Sequence, residues 1–204
     1  MQGGNQENIT GKLILILGPS GSGKGTLIRY IKANYPNYLF PVSCTTRPPR
    51  PREVDGEIYY FITKEEFKEK IEQDKFLEWA IVHEENYYGT LKSEILDPLK
   101  QGKTVFREVD VQGVESIKKI IPAKNLRTIF VTTESWQDLE KRITGRSDVA
   151  PTELEHRHKS FEKEIRFKDQ CDFIIVNRQG KLNATKRELN RILNKIEKTS
   201  STNL

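Results

Sequence analysis

The sequence predicts an α/β fold in which a parallel sheet carries helices on both faces. Short apolar runs alternate with segments of helical periodicity along most of the chain. The first run, residues 13–17, leads through a glycine-rich turn directly into a helical pattern. The apolar residues, 35% of the 204, are concentrated in such runs, with further ones at 129–131 and 173–176. A chain of this length and composition is expected to form one domain with its own core.

In the first half of the chain, strands are predicted at 13–17, 39–44, 59–62 and 76–82, and helices at about 24–34, 64–73 and 92–101. The first helix ends before Pro36, since proline breaks a helix interior. Thr63 followed by Glu66 is the signature of a capping box, so the second helix begins there. Residues 47–52, rich in proline and arginine, are predicted to form a loop.

In the second half, strands are predicted at 103–109, 127–132 and 172–176, and helices at 112–120, 135–144, 152–168 and 181–197. A polar loop lies before the helix at 152. The two ends of the chain, 1–11 and 199–204, are polar and are expected to fray. In a parallel sheet of this kind, ligands bind at the carboxyl ends of the strands.

The charge pattern favours a solvated surface over a nucleic-acid-binding face. The net charge is +5, but acidic residues are interleaved with basic ones along the whole chain, and no basic stripe is present. Cys44 and Cys171 are far apart, and no histidine stands near them in a zinc-like spacing. No apolar run approaches the roughly 20 residues of a membrane span, and the N-terminus has no signal-peptide pattern. We therefore expect a cytoplasmic protein that binds neither nucleic acid nor membrane.

The most informative stretch is the glycine-rich segment between the first strand and the first helix. Its glycines allow several backbone N–H groups to point at one anion, and the helix N-terminus adds positive partial charge. Lys24 adds a full charge that can reach the outer phosphates. The segment consists of Gly18, Pro19, Ser20, Gly21, Ser22, Gly23, Lys24, Gly25 and Thr26. It predicts a nucleoside triphosphate site and a three-layer fold of the P-loop NTPase type.

Gly25 stands where such loops commonly have a serine or threonine that contacts Mg²⁺. Thr26 follows directly and could supply the hydroxyl, or water could, because Mg²⁺ readily keeps several waters. The substitution therefore does not exclude chemistry that depends on Mg²⁺.

A candidate acceptor site follows the second strand. Arg47 and Arg50 lie three residues apart on a constrained loop, with a hydroxyl at Ser43, and planar guanidinium groups suit a phosphate dianion. Tyr59 and Tyr88 could add hydroxyl donors. Taken alone, each of these residues also fits a packing or surface role.

The order of the motifs resembles the guanylate kinase family, over about residues 12–198. The matching segments are residues 18–26, Ser43-x-Thr-Thr-Arg-x-Pro-Arg50, Gly56-x-x-Tyr59-x-Phe61, Phe76-Leu77-Glu78-Trp79-Ala80, Asn86-Tyr87-Tyr88-Gly89-Thr90 and Asp110-x-Gln112-Gly113. The resemblance implies transfer of the γ-phosphoryl group of ATP to GMP or dGMP, with Mg²⁺. It also implies a core at 12–41, 92–145 and 158–198, a mixed α/β GMP-binding insertion at 42–91, and a small helical lid at 146–157.

By the same resemblance, the GMP phosphate is held by Ser43, Arg47, Arg50, Tyr59 and Tyr88. Glu78 accepts hydrogen bonds from the guanine N1–H and exocyclic amine, Thr90 donates to guanine O6, and Asp110 binds the nucleoside edge. Catalytic charge comes from Lys24, Arg47, Arg142, Arg146 and Arg157. Asn177 lies near the adenine of ATP, and Thr26 and Glu108 are candidate Mg²⁺ ligands, Glu108 through water.

Several positions depart from the family pattern. The lid reads Ser147-Asp148-Val149, Arg52 stands where glycine is usual, and Arg178 stands where an acid is common. A non-catalytic guanylate-kinase-like module that binds GMP or protein is the alternative, although such modules usually have decayed phosphate loops. The sequence leaves the choice between monomer and homo-oligomer open.

Overall fold

A computed structural model describes residues 9–82, 85–145 and 148–198 of the chain. The helices within this part are α1 (Lys24–Asn34), α2 (Lys64–Glu72), α3 (Ser93–Lys100), α4 (Val111–Lys118), α5 (Trp136–Thr144), α6 (Pro151–Ile165) and α7 (Leu182–Lys198). The strands are β1 (Lys12–Leu17), β2 (Tyr38–Leu39), β3 (Ser43–Thr45), β4 (Tyr59–Phe61), β5 (Phe76–Val82), β6 (Asn86–Leu91), β7 (Thr104–Glu108), β8 (Leu126–Thr132) and β9 (Phe173–Val176).

The strands form two sheets. A five-stranded sheet has the order β2-β7-β1-β8-β9, with β2 parallel to β7 and β8 parallel to β9. A four-stranded mixed sheet has the order β4-β3-β6-β5, in which β3 is parallel to β4 and antiparallel to β6. The α/β fold predicted from the sequence is therefore confirmed.

Two predictions for single elements were wrong. The strand expected at 39–44 is two strands, because β2 ends at Leu39 in one sheet and β3 begins at Ser43 in the other. Pro41 lies between them and has no N–H to donate to a ladder, so a continuous strand is disfavoured there. No strand was predicted between residue 82 and the helix expected at 92–101, but this segment contains β6, which pairs with β5 from Val82–Asn86 to Phe76–Leu91.

The described residues fall into two compact units. The first contains the described part of Met1–Leu13 together with Asn37–Arg107 and Gln112–Leu126. Its apolar cluster has Phe67 and Phe76 stacked at a centroid distance of 4.2 Å. A Cβ atom on Gly89 of β6 would lie 2.9 Å from both of these rings, so only glycine allows this packing. The capping box predicted for α2 is present, with Thr63 and Glu66 each accepting from the other's backbone N–H.

The second unit contains Ile14–Pro36, Glu108–Val111 and the described part of Arg127–Leu204. The β1 residues of this unit are fully buried, as an interior parallel strand requires. Asn190 of α7 donates from Nδ2 to Tyr30 Oη of α1, and its Oδ1 accepts from Tyr35 Oη just after α1. The Asp172 carboxylate accepts hydrogen bonds from the backbone N–H and the hydroxyl of Thr128, next to the start of the β8–β9 pairing.

Candidate active site

Three glycines of the phosphate loop in the second unit, Gly18, Gly21 and Gly23, have positive φ angles. Gly18 has a φ of 130°, and a Cβ there would lie 2.1 Å from the carbonyl oxygen of Val131. Gly23 has a φ of 104°, and a Cβ there would lie 2.3 Å from Asn177 Nδ2. A side chain at either position would have to displace its neighbour, which explains the glycines that the sequence showed.

Lys24, the first residue of α1, folds back over this loop. Its Nζ donates to the carbonyl oxygens of Gly18 at 2.5 Å and of Pro19 at 3.1 Å. The same ammonium lies 3.4 Å from the Glu108 carboxylate at the end of β7, and its side chain is only 10% exposed. The structure thus brings together the loop, its lysine and the acidic residue that the sequence singled out.

Arg142 of α5 connects the phosphate loop to the segment after β9 by hydrogen bonds. Its guanidinium donates to the carbonyl oxygens of Asn177 at 2.5 Å and of Ser22 at 3.3 Å, and to Gln179 Oε1 at 3.1 Å. An arginine that crosslinks two backbone segments in this way fixes their spacing as well as supplying charge.

Asn177 is buried, and both polar ends of its side chain are engaged inside the protein. Its Nδ2 donates to the carbonyl oxygen of Ser22 at 2.8 Å, and its Oδ1 accepts from the Thr185 hydroxyl at 3.1 Å. A cavity of about 390 Å³ adjoins these residues, with Thr26, Arg142 and Gln179 also in its wall. This volume is in the range of small-ligand sites.

A second arginine, Arg157 of α6, reaches Ser20 of the phosphate loop. Its Nη1 lies 3.4 Å from the Ser20 hydroxyl, while its Nε and Nη2 donate to Glu153 one turn earlier. Helices α5 and α6 meet through Trp136, whose ring stacks on His158 at 4.4 Å. Arg146, the remaining predicted arginine, lies outside the described residues.

Sequence reasoning missed Glu164, two helical turns after Arg157 on α6. Burial raises the pKa of its carboxyl; the Lys24 ammonium opposes this shift, and Asp110 adds to it. The i, i+7 spacing from Arg157 places the two side chains on one face of α6, which was the available signal. Asp110 itself is exposed at the junction of β7 and α4.

In the first unit, Arg47 forms a two-pronged ion pair with Glu53. The Nη1–Oε2 and Nη2–Oε1 distances are 2.8 and 3.0 Å, and Glu53 Oε2 also accepts from the backbone N–H of Arg50 at 2.7 Å. The Arg47 hydrogen bond, followed by the Arg50 N–H, lowers the pKa of Glu53, and the Glu53 hydrogen bond raises the pKa of Arg47. Sequence reasoning missed Glu53, although an acid three residues after Arg50 on a tight loop was visible.

Aromatic rings surround this ion pair. The Arg47 guanidinium carbon lies 5.5 Å from the ring centroids of both Tyr59 and Phe61, and the Tyr59 ring meets the Tyr88 ring edge-on at 5.7 Å. The structure thus brings Arg47, Tyr59 and Tyr88 together, while Arg50 is exposed and contributes its backbone to Glu53.

A second group of polar residues lies where β5, β6 and β3 pair. Glu78 is opposite Thr90 in the β5–β6 register, and the Thr90 and Ser43 hydroxyls are 2.8 Å apart. Glu78 Oε1 also accepts from Arg107 Nη2 at 2.5 Å, a partner that sequence reasoning did not find. The pairing register brings together residues that are up to 47 positions apart in sequence.

Glu108 and Thr26 are the two residues predicted to contact Mg²⁺. Within residues 9–82, 85–145 and 148–198, no group of three or more histidine, cysteine, aspartate or glutamate residues could hold a metal ion. Carboxylate and hydroxyl oxygens, as at Glu108 and Thr26, suit Mg²⁺, which needs only one or two protein ligands when phosphates supply the rest. No helix in the part of the chain described is long and apolar enough to cross a membrane.

The parallel sheet, the glycine-rich loop with its lysine, and the arginines around it define a kinase of the P-loop class. The family model for guanylate kinase matches residues 10–196. The guanylate kinase of Synechocystis sp. is 40% identical over 173 residues, covering 85% of this chain and 89% of that protein. The guanylate kinase of Thermotoga maritima is 42% identical over 167 residues, covering 82% and 79%. The chain belongs to the guanylate kinase family.

A solved structure agrees at the level of the fold. The crystal structure of guanylate kinase from Anaplasma phagocytophilum matches with a TM-score of 0.67 at 24% sequence identity. The match covers 96% of this chain and 89% of the other.

Proposed function

We propose that the protein transfers the γ-phosphoryl group of ATP to GMP, or to dGMP, giving ADP and GDP for purine nucleotide recycling and GTP supply. The observation that carries this proposal is the guanylate kinase match over residues 10–196, in a chain whose phosphate loop and Lys24 are intact. An intact loop is what catalysis needs and what the non-catalytic alternative does not require.

On the donor side, the loop N–H groups and Lys24 bind the β- and γ-phosphates of ATP. Arg142 and Arg157, which already contact the carbonyl of Ser22 and the hydroxyl of Ser20, add positive charge where negative charge develops during transfer. Arg146 is assigned the same role from the family resemblance. The cavity beside Asn177 is the proposed adenosine site.

On the acceptor side, Arg47 and Arg50 clamp the GMP phosphate, with hydroxyls from Ser43, Tyr59 and Tyr88. The Glu53 carboxylate holds the Arg47 fork in a fixed plane, so little side-chain entropy is lost when a phosphate binds. Hydrogen bonds from Arg47, held by Glu53, and from Arg50 would also orient the attacking phosphate oxygen, which the in-line reaction requires.

Base selection falls to Glu78 and Thr90, with Asp110 at the nucleoside edge. Guanine offers two adjacent donors, N1–H and the exocyclic amine, to a carboxylate that only accepts. Adenine lacks this pair of donors, and leaving a largely buried carboxylate partly unsatisfied costs about 1–3 kcal/mol or more.

Mg²⁺ belongs to the same proposal. Glu108, close to Lys24, and the Thr26 hydroxyl are the groups expected to hold it, Glu108 through water. When bound, Mg²⁺ neutralises charge on the transferring phosphoryl group. The GMP phosphate is ionised near neutral pH, so no strong general base is needed. Closure of the predicted lid, residues 146–157, would keep water from the γ-phosphate.

The direct test follows a labelled γ-phosphoryl group from ATP into GDP, in wild type and in Lys24→Ala. We expect transfer by the wild type, and in the variant we expect transfer to be abolished while GMP binding, measured by calorimetry, persists. Wild-type protein that binds GMP but transfers no label would contradict the proposal and favour the non-catalytic alternative.

A further inference from the structure

The ion pair between Arg107 and Glu78 is the feature that the proposed reaction does not yet use. Arg107 follows Val105 and Phe106, which are buried on β7, and its guanidinium reaches Glu78 on β5. The Nη2–Oε1 distance is 2.5 Å, and the two side chains are 12% and 26% exposed. Both charges are therefore largely removed from water.

Stability alone is a poor reason for such a pair. Desolvating two charges costs about as much as their attraction returns, and apolar replacements of similar size are often neutral or stabilising. What a charge-assisted hydrogen bond from a planar guanidinium does provide is orientation, because it restricts the rotation of the carboxylate that accepts it.

The bond from Arg107 leaves the Glu78 carboxylate able to accept further hydrogen bonds. A carboxylate has about four acceptor positions on its two oxygens, and Arg107 Nη2 occupies one of them. The remaining positions are sufficient for two adjacent N–H donors. Thr90 is paired with Glu78 across strands β5 and β6. The Thr90 hydroxyl is hydrogen-bonded to the Ser43 hydroxyl.

We propose that Arg107 is a positioning residue for guanine selectivity, which holds the Glu78 carboxylate so that both of its oxygens accept from the base. This inference rests on the proposed function, because it needs Glu78 to be the group that meets guanine. Arg107 acts through Glu78 and need not touch the nucleotide itself.

The role of Arg107 can be tested by comparing the binding of GMP with that of IMP, a nucleotide that keeps N1–H and O6 but lacks the exocyclic amine. A correctly oriented carboxylate gains from the second donor, so the wild type prefers GMP. In Arg107→Met, which keeps the length of the side chain without its charge, the two-donor contact is lost. We expect the Kd for GMP to rise roughly tenfold to hundredfold, the range for a hydrogen bond to a charged group. The Kd for IMP should rise less.

The experiment measures Kd for GMP and IMP by calorimetry, and kcat and KM for both substrates, in wild type, Arg107→Met and Arg107→Lys. Lysine keeps a donor and a charge, so it should restore part of the preference for GMP. Arg191→Met is the matched control, since Arg191 is an exposed residue of α7 that pairs with Glu188 on the same helix. The KM for ATP should be the same in all four proteins.

An unchanged or lower Kd for GMP in Arg107→Met would overturn the inference, since it would mean that the arginine competes with the base. Equal weakening of GMP and IMP, with a lower melting temperature, would also overturn it and indicate a purely structural role. If Arg107→Met does not fold, the GMP-to-IMP ratio of Arg107→Lys decides, and a wild-type ratio contradicts the proposal. Wild-type protein that does not bind GMP would instead defeat the proposed function, so the two failures are distinguishable.

Discussion

The structure makes a specific prediction for Asn177, whose side chain joins the phosphate loop to α7. Replacing it with alanine removes the hydrogen bond to the Ser22 carbonyl oxygen and the one from the Thr185 hydroxyl. Both groups keep one other partner, Arg142 for Ser22 and the Lys181 carbonyl for Thr185. The loss should therefore be close to that of two ordinary hydrogen bonds, about 1–3 kcal/mol in the free energy of unfolding.

For a domain of this size, about 1–3 kcal/mol corresponds to a fall in melting temperature of about 2–12 °C. The substitution should weaken binding of the triphosphate group and leave recognition of the base unchanged. The reason is that both polar ends of the Asn177 side chain are bonded to protein groups. A loosened loop must be ordered when phosphates bind, so we expect roughly tenfold weaker binding of ATP, GTP and inorganic tripolyphosphate alike.

The assay measures the melting temperature and the binding of these three ligands, in wild type, Asn177→Ala and the matched control Asn194→Ala. Asn194 is an exposed residue of α7, so its replacement should change neither quantity. Weaker binding of ATP with unchanged binding of tripolyphosphate would contradict this prediction, since it would show that Asn177 contacts the base and does not act by holding the loop.

Three further predictions concern the first unit. Glu78→Gln should raise the Kd for GMP at least tenfold and leave the Kd for ATP unchanged, and equal effects on both would argue against a base-reading role. The pKa of Glu53 is lowered in the folded protein, so its contribution to stability is present above about pH 4.5 and is lost as pH falls through the folded pKa. Denaturant melts between pH 3 and 7 should therefore show that the free energy of unfolding falls less with decreasing pH in Glu53→Gln than in the wild type. An equal fall in the two proteins would contradict this. Burial raises the pKa of Cys44 to about 11, so at pH 8 a thiol reagent should modify Cys171 before Cys44, as peptide mapping would show.

The phosphate loop was predictable because everything it needs is local in the sequence. A buried strand, three glycines with positive φ angles and a lysine at the helix start follow one another within residues 13–24. The capping box of α2 was predictable for the same reason, since Thr63 and Glu66 are three residues apart.

What the sequence did not reveal depends on distant partners. Arg107 is 29 residues from Glu78, and only the fold of the first unit brings them together. The strand β6 was missed because its sequence contains Gly89, a weak strand former, and its stability comes from pairing with β5 and packing on Phe67. The engagement of both ends of the Asn177 amide by Ser22 and Thr185 likewise cannot be read from spacing alone.

The GMP-dependent kinase activity proposed for this protein is tested directly by measuring the release of ADP from MgATP with GMP, AMP, CMP or UMP as the acceptor. We expect strong turnover with GMP and little with the other three, because only guanine presents two adjacent donors to Glu78. Equal turnover with AMP, or none with any acceptor in a protein that still binds GMP, would contradict it.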